Sequence, residues 1–281
     1  RMILQPRGNS DEAQVLAGYL RDLEKTLASE DWEHDKTERM LTMSATGFWQ
    51  GDERFSILST IELTDRIESA FRGANRIHNK LHGQGKRKQY QPDLIRRMAQ
   101  QIWLIQLGLE DLREATPQDA FLEILPTDPN LAAPEFMNAL ASMYEKWAKI
   151  RNMRLTPINP SRTETSRLFA ISGFGAWRLL QGESGIHVLE QPRKNSNSGE
   201  SDKLTITVQV APQPDHPIED SSIVQVARSL LDESRTTNIV RRYRHDPSPL
   251  VKDLVRQWKT GRIDWIFGGN FDVMSKRESK S

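Results

Sequence analysis

The spacing of apolar residues changes partway along the chain, and this change limits the folds that the sequence can adopt. Apolar side chains recur every three to four residues through 11–28, 52–81 and 92–112, the spacing that gives a helix one apolar face. Beyond Thr116-Pro117 the apolar runs become short and alternate in character. We therefore predict an N-terminal helical coil or bundle domain over 1–115 and a second domain over 116–281.

The second domain is predicted to combine strands and helices. Residues 204–210 alternate apolar and polar side chains, the period of a half-buried strand. Strand character recurs at 120–125, 167–171 and 185–189, and helical spacing at 133–151 and 173–180. The predicted fold class is therefore α+β, with helices packed on a sheet.

The overall composition excludes several classes of protein. With 37% hydrophobic and 27% charged residues, the chain resembles an ordinary soluble protein. The absence of cysteine excludes a disulfide framework, a thiolate metal site and a cysteine nucleophile. No apolar run reaches the roughly 18–20 residues of a membrane span, and residues 1–10 lack the apolar core of a secretory signal. We expect a soluble, cytoplasmic protein.

Positive charge is local rather than global. The net charge of +1 argues against polyanion binding through the field of the whole chain. Residues 235–262 nevertheless hold eight bases against Asp246 and Asp253, and eight minus two gives +6. Such a run either contacts phosphates or forms a solvated face. The bases are Arg235, Arg241, Arg242, Arg244, Lys252, Arg256, Lys259 and Arg262.

Seven short segments occur in the same order as motifs of a known family. The run 171–177, Ile-Ser-Gly-Phe-Gly-Ala-Trp, leads into 183–187, Glu-Ser-Gly-Ile-His. The other segments are 47–54 (Gly-Phe-Trp-Gln-Gly-Asp-Glu-Arg), 143–148 (Met-Tyr-Glu-Lys-Trp-Ala), 240–243 (Val-Arg-Arg-Tyr), 251–254 (Val-Lys-Asp-Leu) and 269–272 (Gly-Asn-Phe-Asp). Together they resemble the bacterial peptide chain release factors, most closely the type that reads UGA and UAA.

The resemblance also identifies what this chain lacks. Release factors hydrolyse peptidyl-tRNA with a Gly-Gly-Gln loop, carried in a whole domain between the strand equivalent to 204–210 and the Arg-x-Tyr segment. No Gly-Gly-Gln occurs here, and only 211–239 fill that gap. We interpret Gly268-Gly269, the one Gly-Gly pair, as a turn or helix cap. The resemblance therefore implies a degenerate homologue that has lost the catalytic domain, and we predict that the chain is not an enzyme.

Stop-codon reading is also predicted to be lost. The family reads codons with a Pro-x-Thr or Ser-Pro-Phe tripeptide, whereas the matching residues 190–195 are Glu-Gln-Pro-Arg-Lys-Asn. His187 matches the histidine that the family stacks on a stop-codon base, but Val188 replaces the arginine that follows it. His187 is therefore either a relic of decoding or a structural histidine at a strand end.

The resemblance implies a ribosome or RNA partner, with no cofactor. The predicted function is a non-catalytic, release-factor-like protein that binds the ribosome or RNA and modulates translation. Two alternatives stay open: a protein-interaction module on a release-factor scaffold, which docks a partner through its N-terminal helices and no longer binds the ribosome, and a factor that still releases peptides. The candidate RNA-binding residues are His187, Arg193, Lys194, Arg241, Arg242, Arg244, Lys252 and Arg256.

Other sequence patterns that could indicate a metal site, an acid/base pair or a base-stacking surface are weak. His78 and His82 have the four-residue spacing of two metal ligands on a helix, but no third ligand is evident and no metal is predicted. Glu183 and Asp253 could act as general acids or bases only beside a nucleophile, and the sequence pairs neither of them with one. Aromatic residues in 136–147 and 258–265 could stack on bases, although such spacing is more typical of a core.

Overall fold

The computed structural model describes residues 2–83, 89–128, 133–158, 166–192 and 201–273. Two compact units divide the chain, Arg1–Thr116 and Pro117–Ser281. The break between them falls where the spacing of apolar residues changes.

The first unit consists of helices. They are α1 (Ser10–Leu27), α2 (Glu30–Met43), α3 (Glu53–His82) and α4 (Pro92–Glu114), with a short 3-10 helix at Phe48–Gln50. The side chain of Asn9 caps α1 by accepting a hydrogen bond from the Glu12 amide at 2.9 Å. The core contains the predicted apolar positions Leu16, Leu20, Ile67, Ile95, Met98, Ile102 and Ile105, all buried.

The three helices predicted in this unit are confirmed, but α2 was missed. Its one buried residue is Trp32, so its sequence has no apolar stripe from which to predict it. The helix is fixed to α3 by polar contacts instead. The indole Nε1 of Trp32 donates to Glu68 at 3.0 Å, and Lys36 Nζ lies 2.7 Å from the same carboxylate.

The second unit is built on an eight-stranded sheet of order β2-β3-β1-β5-β4-β6-β7-β8. The strands are β1 (Ala120–Pro126), β2 (Arg154–Pro157), β3 (Arg167–Ser172), β4 (Gly185–Pro192), β5 (Ser201–Pro212), β6 (Ile239–Arg244), β7 (Leu250–Asp253) and β8 (Trp258–Thr260). Neighbouring strands are antiparallel except β4 and β6. The helices are α5 (Pro134–Arg151), α6 (Ala176–Leu180), α7 (Ile223–Glu233) and α8 (Ile263–Phe267). The predicted α+β class is confirmed.

The pleat of the strands gives the sheet two faces. The inner face carries Leu122, Val208, His187 and Tyr243, all buried, and packs against α5 through ring contacts such as Phe136 with Tyr243 at 5.5 Å. On the outer face α7 covers one half of the sheet. Its residues Ala227 and Leu231 pack in a cluster with Phe121, Leu168 and Ala211.

The connection from β5 to β6 holds a single helix. Residues 213–238 are described throughout, and α7 is the only regular element among them. Since Ala227 and Leu231 are fully buried on the sheet, this connection is part of the unit's own core. No separate domain is inserted within it.

A turn after α8 anchors the described C-terminal residues. Gly269 has φ +92°, and a Cβ there would lie 2.5 Å from the Trp147 backbone nitrogen, so glycine is required. The turn stacks Phe271 on Trp147 at 5.7 Å. Arg151 donates to both oxygens of Asp272, at 2.6 and 2.7 Å. The glycine pair is thus a turn after a helix, as interpreted from the sequence.

None of the helices in the described ranges combines the length and the apolar character that crossing a membrane requires.

Candidate nucleic-acid interface

Arg241 lies at the centre of a charge network on the inner face and has no solvent exposure. Its Nη2 donates to Glu183 Oε1 at 2.6 Å and to Asp253 Oδ2 at 2.7 Å. Nη1 donates to Glu183 Oε2 at 3.1 Å and to the Tyr243 hydroxyl at 3.2 Å, while Nε donates to Asp253 Oδ2 at 3.0 Å. Since a guanidinium has five N–H groups, all of its donors are satisfied.

Arg256 adds the second positive charge. Its Nη1 binds the Glu183 carboxylate and lies 3.3 Å from Asp253 Oδ2, and its Nη2 donates to the Leu179 carbonyl at 2.9 Å. Two carboxylates therefore face two guanidinium groups, and the buried charges balance. Such balance is what makes ionised groups tolerable away from water.

His187 belongs to the same network. Its Nδ1 lies 3.1 Å from the Tyr243 hydroxyl, and its Nε2 lies 3.1 Å from the Glu183 carbonyl. Because a carbonyl can only accept, we assign the ring proton to Nε2. The Tyr243 hydroxyl accepts from Arg241 and donates to Nδ1. The imidazole is thus neutral, with both nitrogens hydrogen-bonded.

The network fixes the ionisation of its members. Burial lowers the pKa of His187 to about 4. Burial alone would raise the pKa of Glu183, but the charges of Arg241 and Arg256 lower that pKa to about 2. Burial raises the pKa of Tyr144, whose hydroxyl donates to Glu183 at 3.0 Å. The carboxylate therefore stays ionised and the histidine neutral near pH 7.

These positions correct part of the predicted RNA-binding set. His187 and Arg241 have no exposed surface, so their assignment to an RNA-contacting surface is contradicted: the side chains are used inside the fold. Arg256 retains 18% side-chain exposure, with its guanidinium held by Glu183, Asp253 and Leu179. Arg193 and Lys194 lie outside the described residues.

Arg242, Arg244 and Lys252 lie on the outer face instead. Arg242 pairs with Lys252 on β7, and Lys252 pairs with Lys259 on β8, so three cations form a row across adjacent strands. With strands about 4.8 Å apart, the row spans roughly 10 Å. Lys252 and Lys259 are exposed, whereas Arg242 is half-buried and binds Glu190 at 3.2 Å.

Lys203 joins this surface from β5. It is exposed and pairs with Glu190 of β4, which in turn pairs with Arg244 of β6. We define the basic face as the outer-face cations Lys203, Arg242, Arg244, Lys252 and Lys259. Against these five positive charges stands Glu190, which leaves +4 among these six residues. α7 packs over β1 and β5, at the other half of the outer face.

Sequence reasoning missed Lys203 and did not select Lys259. Alternation along β6 could have separated Arg242 and Arg244 from Arg241 and Tyr243, since neighbouring residues of a strand point to opposite faces. Lys203 could not be found in this way, because its position depends on the pairing of β5 with β4.

The described residues provide no site for metal chemistry. The rings of His78 and His82 lie 4.3 Å apart between centroids. No group of three or more His, Cys, Asp or Glu side chains within the described part of the chain could hold a metal ion. The aromatic side chains of α5 are core, as Phe136, Tyr144 and Trp147 are almost fully buried.

Comparison with known proteins agrees with the motif segments. The model of the PCRF domain family matches residues 20–200, more than half of the chain. The chain therefore belongs to the PCRF domain family, and the resemblance to release factors is confirmed. The closer likeness to the type that reads UGA and UAA stays a prediction.

Curated relatives match over part of their length. Peptide chain release factor 1 of Clostridium botulinum (strain Hall) is 31% identical over 137 residues, which cover 43% of this chain and 38% of the relative. Peptide chain release factor 1 of Wolbachia pipientis subsp. Culex pipiens is 29% identical over 160 residues, covering 52% of this chain and 44% of the relative. The chain thus spans less than half the length of these relatives.

Among solved structures, RF2 of Thermus thermophilus superposes with a TM-score of 0.45 at 15% identity, over 89% of this chain and 95% of that chain.

Replacing Arg241 tests the role of the buried network. We expect Arg241→Met to lower the free energy of unfolding by roughly 3–5 kcal/mol, because the two buried carboxylates of Glu183 and Asp253 would then share only the charge of Arg256. The neighbouring variant Arg242→Met removes an outer-face cation and should cost at most about 1 kcal/mol. Urea unfolding followed by near-ultraviolet circular dichroism measures both. Equal effects of the two substitutions would contradict the assignment.

Acid should destabilise the second unit in two overlapping steps. The folded pKa of His187 is about 4 against an ordinary 6.5, so the unfolded chain takes up the proton first and stability falls as pH drops from 6.5 to 4. The Glu183 carboxylate adds a further loss from pH 4.5 to about 2. Each step is worth on the order of 3 kcal/mol.

Comparing the unfolding of the wild type and a His187 variant between pH 7 and 5 isolates the contribution of His187, because burial also lowers the pKa of His78 in the first unit. His187→Gln should flatten the slope of stability against pH in this range, because it removes the buried titrating group. A wild-type curve that is already flat from pH 7 to 5 would exclude the mechanism.

Proposed function

We propose that this protein is a non-catalytic member of the release-factor lineage that binds ribosomal or other RNA through its basic face and thereby modulates translation. In this proposal it acts in the cytoplasm and neither reads stop codons nor hydrolyses peptidyl-tRNA. One observation carries the proposal: five cations from four strands, β5, β6, β7 and β8, share one sheet face, on the half that lies away from α7.

The chemistry of the basic face suits a phosphate backbone. Lysine and arginine side chains that neutralise phosphates gain affinity by releasing counterions, without reading bases. The cross-strand row of Arg242, Lys252 and Lys259 presents charge in a line, as a backbone would require. The face itself contributes no aromatic side chain that could stack on a base, so we expect little sequence preference.

Two features support the absence of catalysis. The chain has no Gly-Gly-Gln triplet, and the connection between β5 and β6 is a single packed helix, α7. The histidine that resembles a decoding residue, His187, is buried with both ring nitrogens engaged. We therefore expect no nascent-chain release when the purified protein is added to stalled ribosomes.

Ribosome pelleting over a salt series tests the proposal. Wild-type protein should co-sediment with bacterial ribosomes at low salt, and log K should fall linearly with log salt concentration. The triple variant Lys203→Gln, Lys252→Gln, Lys259→Gln should bind more weakly and reduce the slope by about 2 to 3, since each lost phosphate contact removes about 0.7 to 0.9.

A charge-matched variant provides the control. Lys146→Gln, Lys149→Gln and Arg154→Gln remove three exposed cations of the same unit, on α5 and on β2. This variant should bind almost as the wild type does. No association at low salt, or equal losses in both triple variants, would overturn the proposal. Release of the nascent chain by the protein alone would overturn its non-catalytic part.

A further inference from the structure

The end of α2 and the turn that follows it expose large apolar side chains. Met40 is 59% exposed, Leu41 67% and Trp49 57%. These three residues lie within a ten-residue stretch held by successive turns, in which Ser44 donates to the Leu41 carbonyl and Phe48 to the Ala45 carbonyl. Single exposed apolar residues are ordinary, whereas a local group of them is typical of a contact surface.

The packing of α2 leaves this group without cover in the first unit. Only Trp32, in the first turn, is buried, and the polar contacts to Glu68 come from Trp32 and Lys36. The second half of the helix buries no side chain. Since most of the stability of a helix in a protein comes from its packed face, this half would gain stability from a partner.

The charge around the group indicates what kind of partner fits. Helix α2 contains five acidic side chains, Glu30, Asp31, Glu33, Asp35 and Glu38, against Lys36 and Arg39. Five minus two gives −3, the opposite sign to the basic face. Such a surface repels RNA and attracts a cationic polypeptide.

We propose that Met40, Leu41 and Trp49, with the acidic residues of α2, form a docking surface for a basic amphipathic helix of a protein partner. The apolar side of that helix covers Met40, Leu41 and Trp49, and its lysines or arginines lie over the carboxylates of α2. This mode of recognition is that of a helix laid on an apolar surface, with charge setting the choice of partner.

Fluorescence anisotropy with synthetic peptides tests this surface on the full chain. The probe is a labelled peptide in which leucines recur at three- and four-residue spacing among lysines. It should bind the wild type, and the triple variant Met40→Ser, Leu41→Ser, Trp49→Ser should weaken binding at least about tenfold. Val15→Ser with Tyr19→Ser is the matched control, because these α1 side chains are 48% and 46% exposed and should not contribute.

Further peptides and variants separate the apolar contribution to peptide binding from the electrostatic contribution. A peptide with every leucine replaced by serine keeps the charge and should bind weakly, with no difference between wild type and triple variant. A leucine and glutamate peptide should not bind. Asp31→Asn with Glu38→Gln leaves the apolar group intact and should weaken leucine–lysine peptide binding, mainly at low salt.

Three results would overturn the proposal. The first is equal affinity of the wild type and the serine triple variant for the leucine–lysine peptide, with circular dichroism showing unchanged helix content. The second is equal binding of the leucine–glutamate peptide. The third is a wild-type dimer in sedimentation that the serine substitutions abolish, because the occupant would then be a second copy of this chain.

Discussion

The ionised side chain of Arg241, buried between two carboxylates, is the constraint on which the second unit depends. It joins Glu183, at the end of the short 3-10 helix before β4, to Asp253 of β7. The Tyr144 hydroxyl of α5 also donates to Glu183. Desolvating these charges costs several kcal/mol per ion, which only complete pairing offsets. The arrangement therefore tolerates little change in strand register, and it fixes which residues of β6 point away from the core.

The segments that resemble release factors converge on this network. Tyr144, Glu183, His187, Arg241 and Asp253 come from four of the motif segments, 143–148, 183–187, 240–243 and 251–254. These motif residues, which carry the resemblance to the family, therefore stabilise the fold. A chain can keep these residues while its surface acquires another use, since fold does not determine function.

The sequence predicted the long helices well because their apolar residues repeat every three to four positions over many turns. It did not predict α2, which buries Trp32 alone and depends on Glu68, a residue of another helix. The basic cluster was recognised as a charge run but not divided between two faces, so Arg241 and Arg242 were given one role. Lys203 joins the basic face through the register of β5 with β4, which local sequence patterns do not encode.

The sheet separates its cations: Arg241 and Arg256 are held in the buried network, and we propose that the basic face meets phosphate. Acetylation of lysines, followed by mass spectrometry with and without deproteinised ribosomal RNA, tests this division. We expect RNA to protect Lys203, Lys252 and Lys259 and to leave Lys146 and Lys149 as reactive as in the free protein. Protection of the α5 lysines instead, or none at Lys252 and Lys259, would contradict it.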